Sequence, residues 1–461
     1  MNDDDRLLDR AAHLAHEYLD NVNDRPVGAT LSAEELHERL ATPLTDAGED
    51  SLEVLEALAG AAEGGTVATQ GPRFFGFVVG SGLPVATATD WLVSAWDQNT
   101  GLFVLSPFSA VVEEVAGGWL RDLVGLPEHW SVGFVTGGSM ANFTALAAAR
   151  RHVLERVGWN VEEDGLNGAP PVTVVVNDES HYSVFTSLRM LGFGANSAVR
   201  IGADAQGRVR VDELKGVLNK TAGPCIVCAQ AGNVNTGAFD PLEAIAAEVR
   251  AREAWLHVDG AFGLWAAASP DLRHLLAGVE RADSVSTDTH KWLNVPYDCG
   301  IVLCGRPEAH RGAMALPAAY LQESPLERDP REYVPEESRR ARAIPVYAAL
   351  RALGKSGLRE LVERCCRHAR RFAEGLRGAG YRVLNDVVLN QVLVTFGDPD
   401  STRRVIAGIQ RDGTCWCGGT EWQGQTAMRI SVSSWATTDD DVEKSLEAML
   451  TIAAAGARRS G

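Results

Sequence analysis

No apolar run in these 461 residues is long enough to cross a bilayer, and the first ten residues are acidic, without the basic flank and apolar stretch of a secretion signal. The cytoplasm is the expected location. Basic residues are outnumbered, 43 Lys and Arg against 61 Asp and Glu, and the formal charge of −18 excludes a general affinity for nucleic acid or anionic lipid. An anionic ligand would need a local pocket. Cysteine is sparse as well, and eight in a chain this long make no disulfide framework. The pairs Cys225/Cys228, Cys365/Cys366 and Cys415/Cys417 invite a metal reading. Cys225 and Cys228, however, lie in an apolar run where three-residue spacing on a strand sends the thiols to opposite faces. Buried core thiols are expected instead. No internal repeat is present.

What is present is a 45% hydrophobic content, enough for a large core and more than one domain. Residues 1–70 carry Leu, Ala and Glu at helical spacing through Ser32 to Leu40 and Ser51 to Ala62. Beyond them, short apolar runs at Val172 to Val176, Cys225 to Ala229, Trp255 to Val258 and Gly300 to Cys304 alternate with amphipathic stretches such as Pro241 to Ala254. That alternation predicts an α/β fold, a mostly parallel sheet with helices on both faces. Pro317 to Ser338, with four prolines, reads as an exposed loop between domains. Helices, strand-like runs Val392 to Phe396 and Met428 to Val432, and a last helix from Asp439 follow. The expected division is a helical segment 1–70, a large domain 71–325, and a loop with a smaller α/β domain 326–461.

Thr136-Gly137-Gly138-Ser139 follows the strand-like Val132 to Val135 and opens an alanine-rich helix. Such a turn lets backbone N–H groups and a hydroxyl meet a phosphate, although glycine turns also join strand to helix with no ligand. In His257-Val258-Asp259-Gly260-Ala261 a strand delivers a carboxylate at its C-terminal end, the edge where ligands collect in doubly wound sheets. Asp259 could pair with a protonated pyridine nitrogen, share a metal with His257, or cap a helix. Lys291, in Ser286-Thr287-Asp288-Thr289-His290-Lys291-Trp292, sits in a run too polar for an ordinary core strand. As a nucleophile it would be a neutral amine, favoured by partial burial and a positive neighbour such as protonated His290; as a loop residue it would simply be solvated.

These motifs occur in an order that resembles the group II pyridoxal-phosphate decarboxylases, the family of aromatic-L-amino-acid, tyrosine and glutamate decarboxylases. The resemblance spans nearly the whole chain: Gly71-Pro72-Arg73-Phe74-Phe75-Gly76, Ser106-Pro107, Thr136 to Ser139, Asn177-Asp178-Glu179-Ser180-His181, Gly237-Ala238-Phe239-Asp240-Pro241, Leu256 to Asp259 and Thr289 to Trp292. It implies an aspartate-aminotransferase-like fold (the type I pyridoxal-phosphate fold). It also implies a homodimer with active sites at the interface and the helical first segment wrapped on the partner. The implied cofactor is pyridoxal 5'-phosphate, held as a Schiff base by Lys291. By the same resemblance His181 stacks on its ring, Asp259 binds the ring nitrogen, Ala261 lies under the ring, and Gly138, Ser139 and His290 cradle the phosphate, with Asp288 on that side. Phe74, Phe75 and Phe103 fall where the family has substrate-pocket residues.

The implied reaction is loss of CO2 from an L-amino acid, aromatic or otherwise apolar, followed by protonation at Cα by a loop tyrosine. Tyr333 is the first candidate and Tyr320 the second; the spacing from Tyr333 to Arg339-Arg340 is a few residues shorter than the family's. Two departures bear on the outcome. Gly232-Asn233-Val234-Asn235 replaces a glycine and two threonines near the carboxylate site, leaving Asn233 as a hydrogen-bond donor, and Met140 replaces an acidic residue. An aldehyde synthase and an aminotransferase are the alternatives; the latter needs an α-carboxylate clamp, for which Arg429 is read as structural instead. Arg73 is the one cation noted for an acidic side chain.

Overall fold

The computed structural model describes residues 3–316 and 327–457. They divide into two compact units, one taking the residues up to 79 with 371–383 and those from 393 on, the other taking 80–370 and 384–392.

The larger unit is built on a seven-stranded sheet of β1 (Ser131–Val135), β2 (Thr173–Asn177), β3 (Val199–Ile201), β4 (Cys225–Gln230), β5 (Trp255–Asp259), β6 (Ser284–Asp288) and β7 (Gly300–Cys304). Their order is β1-β7-β6-β5-β4-β2-β3. From β3 to β6 neighbours are parallel, while β7 runs against both β6 and β1. The unbroken apolar runs follow from burial on both faces, and every residue of β4, β5 and β7 is buried. Helices Gly138–Glu155, Tyr182–Met190, Val211–Lys220 and Leu242–Arg250 cover the sheet. Leu146, Leu188, Val174, Val176 and Ile226 meet in one core cluster, where each fully buried aliphatic side chain contributes ~2 kcal/mol relative to exposure. Because β1, β2, β5 and β6 point the same way, their carboxyl ends share one edge, and the loops leaving that edge carry the chemistry.

Two expectations are corrected. The polar run before Lys291 does form a core strand: β6 is buried throughout and lies in mid-sheet. Its hydroxyls are paired, Ser284 Oγ accepting from Trp255 Nε1 at 3.0 Å and Ser286 Oγ donating to Asn142 Oδ1 at 2.6 Å, which removes the penalty of burying them. The proline-rich segment is only partly exposed from residue 327 on, with Asp329 to Glu332 and Val334 buried while Glu327, Pro335, Glu337 and Ser338 remain exposed. Pro330–Tyr333 form a 3-10 turn in which Pro330, Arg331 and Glu332 are buried, and Arg339 forms a buried ion pair with Glu113 at 2.5 Å. Residues 327–370 fall within the larger unit.

In the smaller unit the helices Asp3–Asn21, Ala33–Leu40 and Ser51–Ala62 come first. Ser32 and Glu35 form a reciprocal capping box, and Asp50 caps the third helix through Leu52 and Glu53 N–H. Strands β8 (Arg382–Val383), β9 (Gln391–Thr395), β10 (Gly418–Trp422) and β11 (Gln425–Ser431) form a sheet in the order β10-β11-β9-β8. Helices Pro399–Asp412 and Asp439–Ala457 complete the fold. All eight cysteines are buried and none is in a disulfide.

Candidate active site

Loops from the carboxyl edge enclose a cavity of about 290 Å³ lined by Gly138, Ser139, His181, Ala261, His290 and Lys291, among others. The Lys291 side chain is one-fifth exposed, and its Nζ lies 2.8 Å from Asp288 Oδ2 at the end of β6. The loop bearing it is pinned from outside: Gly80 N–H donates to the His290 carbonyl at 3.3 Å and Ser81 N–H to Asn294 Oδ1 at 3.1 Å. A Cβ on Gly80 would fall 1.8 Å from the Lys291 carbonyl oxygen, so only glycine permits this approach.

The charge from Asp288 facing Lys291 is thus negative, and His290 is not a cationic neighbour. His290 is buried and burial pushes its pKa down, with Asp288 opposing. Its Nδ1 accepts from Cys299 N–H at 3.1 Å, which leaves the proton of the neutral ring on Nε2, 3.4 Å from Asp288 Oδ1. His290 enters the site as a neutral donor.

Asp259 ends β5 with both oxygens engaged: Oδ1 accepts from Ala261 N–H at 3.0 Å and Oδ2 from Asn142 Nδ2 at 2.9 Å. Of the alternatives open at the sequence level, the turn-capping role is present, and no metal-binding group of His, Cys, Asp and Glu occurs among the described residues. His181 is the N-cap of the helix Tyr182–Met190, its Nδ1 accepting from Ser183 N–H at 3.3 Å and lying 2.8 Å from Ser183 Oγ. Capping fixes the ring at the cavity wall.

The turn between β1 and its helix is open to an anion. Its N-cap, Gly137, offers no side chain to the first-turn N–H groups. A Cβ on Gly138 would come within 2.7 Å of Asp288 Oδ2 and one on Gly137 within 2.9 Å of His290 Cε1. Glycine there keeps backbone N–H groups within reach of a phosphate.

The sequence profile described as the pyridoxal-dependent decarboxylase conserved domain matches residues 34–396. The chain belongs to this family. It is 30% identical over 362 residues to an aromatic-L-amino-acid decarboxylase of Bacillus atrophaeus, covering 77% of this chain and 73% of that protein. An L-2,4-diaminobutyrate decarboxylase of Rhizobium meliloti is 31% identical over 381 residues, 79% of this chain and 74% of the relative. The crystal structure of Oryza sativa TDC with PLP and tryptamine superposes with a TM-score of 0.92 at 23% identity over 99% of both chains. The fold is the expected aspartate-aminotransferase-like one, and the chain is a pyridoxal-phosphate-dependent amino acid decarboxylase, a carboxy-lyase. Its own residues fit that cofactor. An amine, a carboxylate and an uncapped helix start converge on one cavity, where the buried Asp288 Oδ1 has no hydrogen-bond partner.

Other residues singled out from the decarboxylase's sequence lie elsewhere. Asn233 is buried with its amide occupied: Oδ1 accepts from Asn235 and Thr236 N–H, and Nδ2 donates to the Glu179 carbonyl at 3.2 Å. It braces the segment leading to His181 and does not line the cavity. Tyr333 and Phe103 line a different cavity, with Val111 and Arg328, whose guanidinium lies 4.2 Å over the Tyr333 ring. Phe74 stacks on Trp416 at 5.2 Å and Phe75 meets Phe372 edge-on at 5.1 Å within the smaller unit. Arg73 is fully used there, donating to Thr414 and Asn23 carbonyls and to Asp441, so it is no free cation for an acidic side chain. Arg429 donates to the Phe77 carbonyl at 3.3 Å, in keeping with a structural role. Tyr320 lies outside the described residues. Gly80, Asn142, Ser183 and Asn294 are positioning residues that the sequence reading missed. An asparagine inside an alanine-rich helix just past the glycine turn was the one signal available.

Proposed function

We propose that this decarboxylase acts in the cytoplasm on an aromatic or otherwise apolar L-amino acid, releasing the amine and CO2. The convergence of Lys291, His181 and Ala261 on one cavity, with Asp259 fixed just behind it by its hydrogen bond from Ala261 N–H, carries the reading. Lys291 Nζ would bond the cofactor aldehyde, Asp259 would supply an anion for the ring nitrogen, and His181 and Ala261 would hold the ring. The N–H groups at Gly138 and Ser139, the Ser139 hydroxyl and His290 Nε2–H are donors for the phosphate. When bound, the cofactor would supply an electron sink for the bond to the carboxylate at Cα.

Tyr333 is the donor of the proton that replaces the carboxylate. It lies in a cavity beside Val111, and Val111 belongs to an exposed apolar face, which supports a site completed by a second copy of the chain. Trp91, Leu92 and Trp96 on Pro84–Trp96 and Phe108, Val111 and Val115 on Pro107–Val124 are all more than a third exposed, an apolar surface suited to a homodimer interface. Phe103 at the same cavity is the pocket residue this arrangement favours. For the side chain of the substrate, the occupied Arg73 and the similarity to an aromatic-L-amino-acid decarboxylase both support an apolar group. Eight buried cysteines with no disulfide among them, and no helix among the described residues long and apolar enough to cross a membrane, support the location.

Purified holoenzyme offered single L-amino acids should yield equal amounts of CO2 and amine from an aromatic one. Keto acid without CO2 would overturn the proposal, and aldehyde with peroxide would assign the oxidative reaction instead.

A further inference from the structure

Behind Asp259 lies a set of buried polar groups whose donors and acceptors match completely. Asn142 is at its centre, fully buried in the helix Gly138–Glu155. Its Nδ2 donates to Asp259 Oδ2 at 2.9 Å and to Ser183 Oγ at 3.1 Å. Its Oδ1 accepts from Ser286 Oγ at 2.6 Å and from His257 Nε2 at 2.9 Å. Both protons and both lone pairs of the amide are therefore used, and no flipped orientation satisfies the carboxylate.

Because an amide oxygen only accepts, the proton of the neutral His257 ring is on Nε2. Its Nδ1 then accepts from Ser284 Oγ at 2.9 Å, and that oxygen accepts from Trp255 Nε1 at 3.0 Å. Every donor in the row Trp255, Ser284, His257, Asn142 thus points toward Asp259. A branch leaves Asn142 through Ser183, whose hydroxyl donates to His181 Nδ1 at 2.8 Å. One amide holds the carboxylate and, one hydroxyl further on, the histidine ring.

We propose that Asn142 is a positioning residue that orients the Asp259 carboxylate and fixes it together with His181 so that the two engage the cofactor ring as a unit, and that His257 sets the orientation of Asn142. The proposal rests on Asp259 being the partner of the ring nitrogen. Titratable groups that feel the charge of Asp259 include His257 on its own strand and Cys228 on β4. Burial holds the first uncharged and raises the second above the ordinary thiol range, so neither supplies a cation and Asn142 is the side-chain donor to the carboxylate.

The test is equilibrium binding of pyridoxal phosphate to apoenzyme, read by dialysis and by tryptophan quenching. Asn142→Asp can still accept from His257 but sets a second carboxylate against Asp259. It should bind the cofactor at least ~10-fold more weakly than the parent at pH ~8, and the deficit should shrink at pH ~6, where the two acids share one proton. Asn385→Asp controls for a buried charge, since Asn385 is buried and donates to the Thr236 and Gln391 carbonyls; it should leave the affinity and its pH dependence unchanged. Should Asn142→Asp fail to fold, position 257 decides: His257→Leu should weaken binding, and His257→Gln, which keeps a donor for Asn142, should restore most of it. Parental affinity in Asn142→Asp, the same pH-dependent loss in Asn385→Asp, or Gln no better than Leu at 257 overturns the proposal. Asp259→Asn separates the two levels. No loss there removes the ring-nitrogen reading itself, whereas a loss there with parental binding in Asn142→Asp removes only the relay.

Discussion

Lys291 rests against Asp288 at 2.8 Å on a loop that Gly80 and Asn294 hold in place, so its amine has a defined position before any cofactor arrives. Lys291→Ala should leave the fold intact, abolish the visible absorbance of the holoenzyme and leave no cofactor covalently attached after borohydride reduction, as read by mass spectrometry. Persistence of both signals would assign the attachment to another lysine. A second residue makes stability depend on pH. His310 is buried, its Nδ1 2.8 Å from Ser131 Oγ and its Nε2 2.9 Å from the Tyr333 carbonyl, and burial pushes its pKa down from 6.5 to about 3. Below pH 6.5 the unfolded chain takes up a proton that the folded protein refuses until about pH 3. Stability at this site is complete above that range and falls through it on acidification, by ~1.4 kcal/mol per pH unit. His257 acts in the same direction. Asp240 acts in the opposite one, because burial pushes its carboxyl up to about 7 and the folded chain keeps a proton the unfolded chain has lost. His310→Gln should therefore remove ~1.4 kcal/mol per unit from the acid slope, measured by urea unfolding between pH ~4 and ~6.

At the scale of the element, the strand–turn–helix from β1 through Gly138–Glu155 depends on close approach. Alanine at 138 would favour the helix by up to ~1 kcal/mol, yet its Cβ would sit 2.7 Å from Asp288 Oδ2. Gly138→Ala should accordingly keep its helix content by circular dichroism and bind pyridoxal phosphate at least ~10-fold more weakly, a change of ~1.4 kcal/mol. This element was legible in the sequence, since a buried apolar strand, two glycines and an alanine-rich helix each follow a local rule. So were β4, β5 and β7, whose valines and isoleucines reflect burial on both faces. Strand β6 was not. Serine and threonine are burial-tolerant only when a partner sits opposite, and those partners, Asn142 and Trp255, lie 144 and 29 residues away. Asn142 and Ser183 escaped notice for the same reason, because their role exists only once a helix and two strands are side by side. The packed turn at Pro330–Tyr333 likewise depends on distant partners, and proline spacing alone reads as an exposed loop.

For the whole molecule, the exposed apolar stripe on Pro84–Trp96 and Pro107–Val124 is the feature composition could not disclose, because each helix alone shows an ordinary amphipathic pattern. Which face meets the core and which stays exposed is settled by tertiary packing. Phe108 is 56% exposed and meets Trp96 edge-on at 5.7 Å. On the proposed homodimer, Phe108→Asp should cost little in the isolated chain but halve the sedimenting mass and abolish decarboxylation, and an unchanged mass would remove this surface from the proposed interface. The discontinuity of the two units was equally hidden, since residues 371–383 and those from 393 on join the first 79 in space and not along the chain. The burial of all eight cysteines has a practical side. Burial raises the pKa of Cys225 and Cys365 to about 11 and of Cys299 and Cys304 to about 12, leaving little thiolate near neutrality. The native enzyme should therefore be almost silent to maleimides, and a cysteine introduced on its surface would accept a dye or spin label at one site without any native thiol having to be removed first.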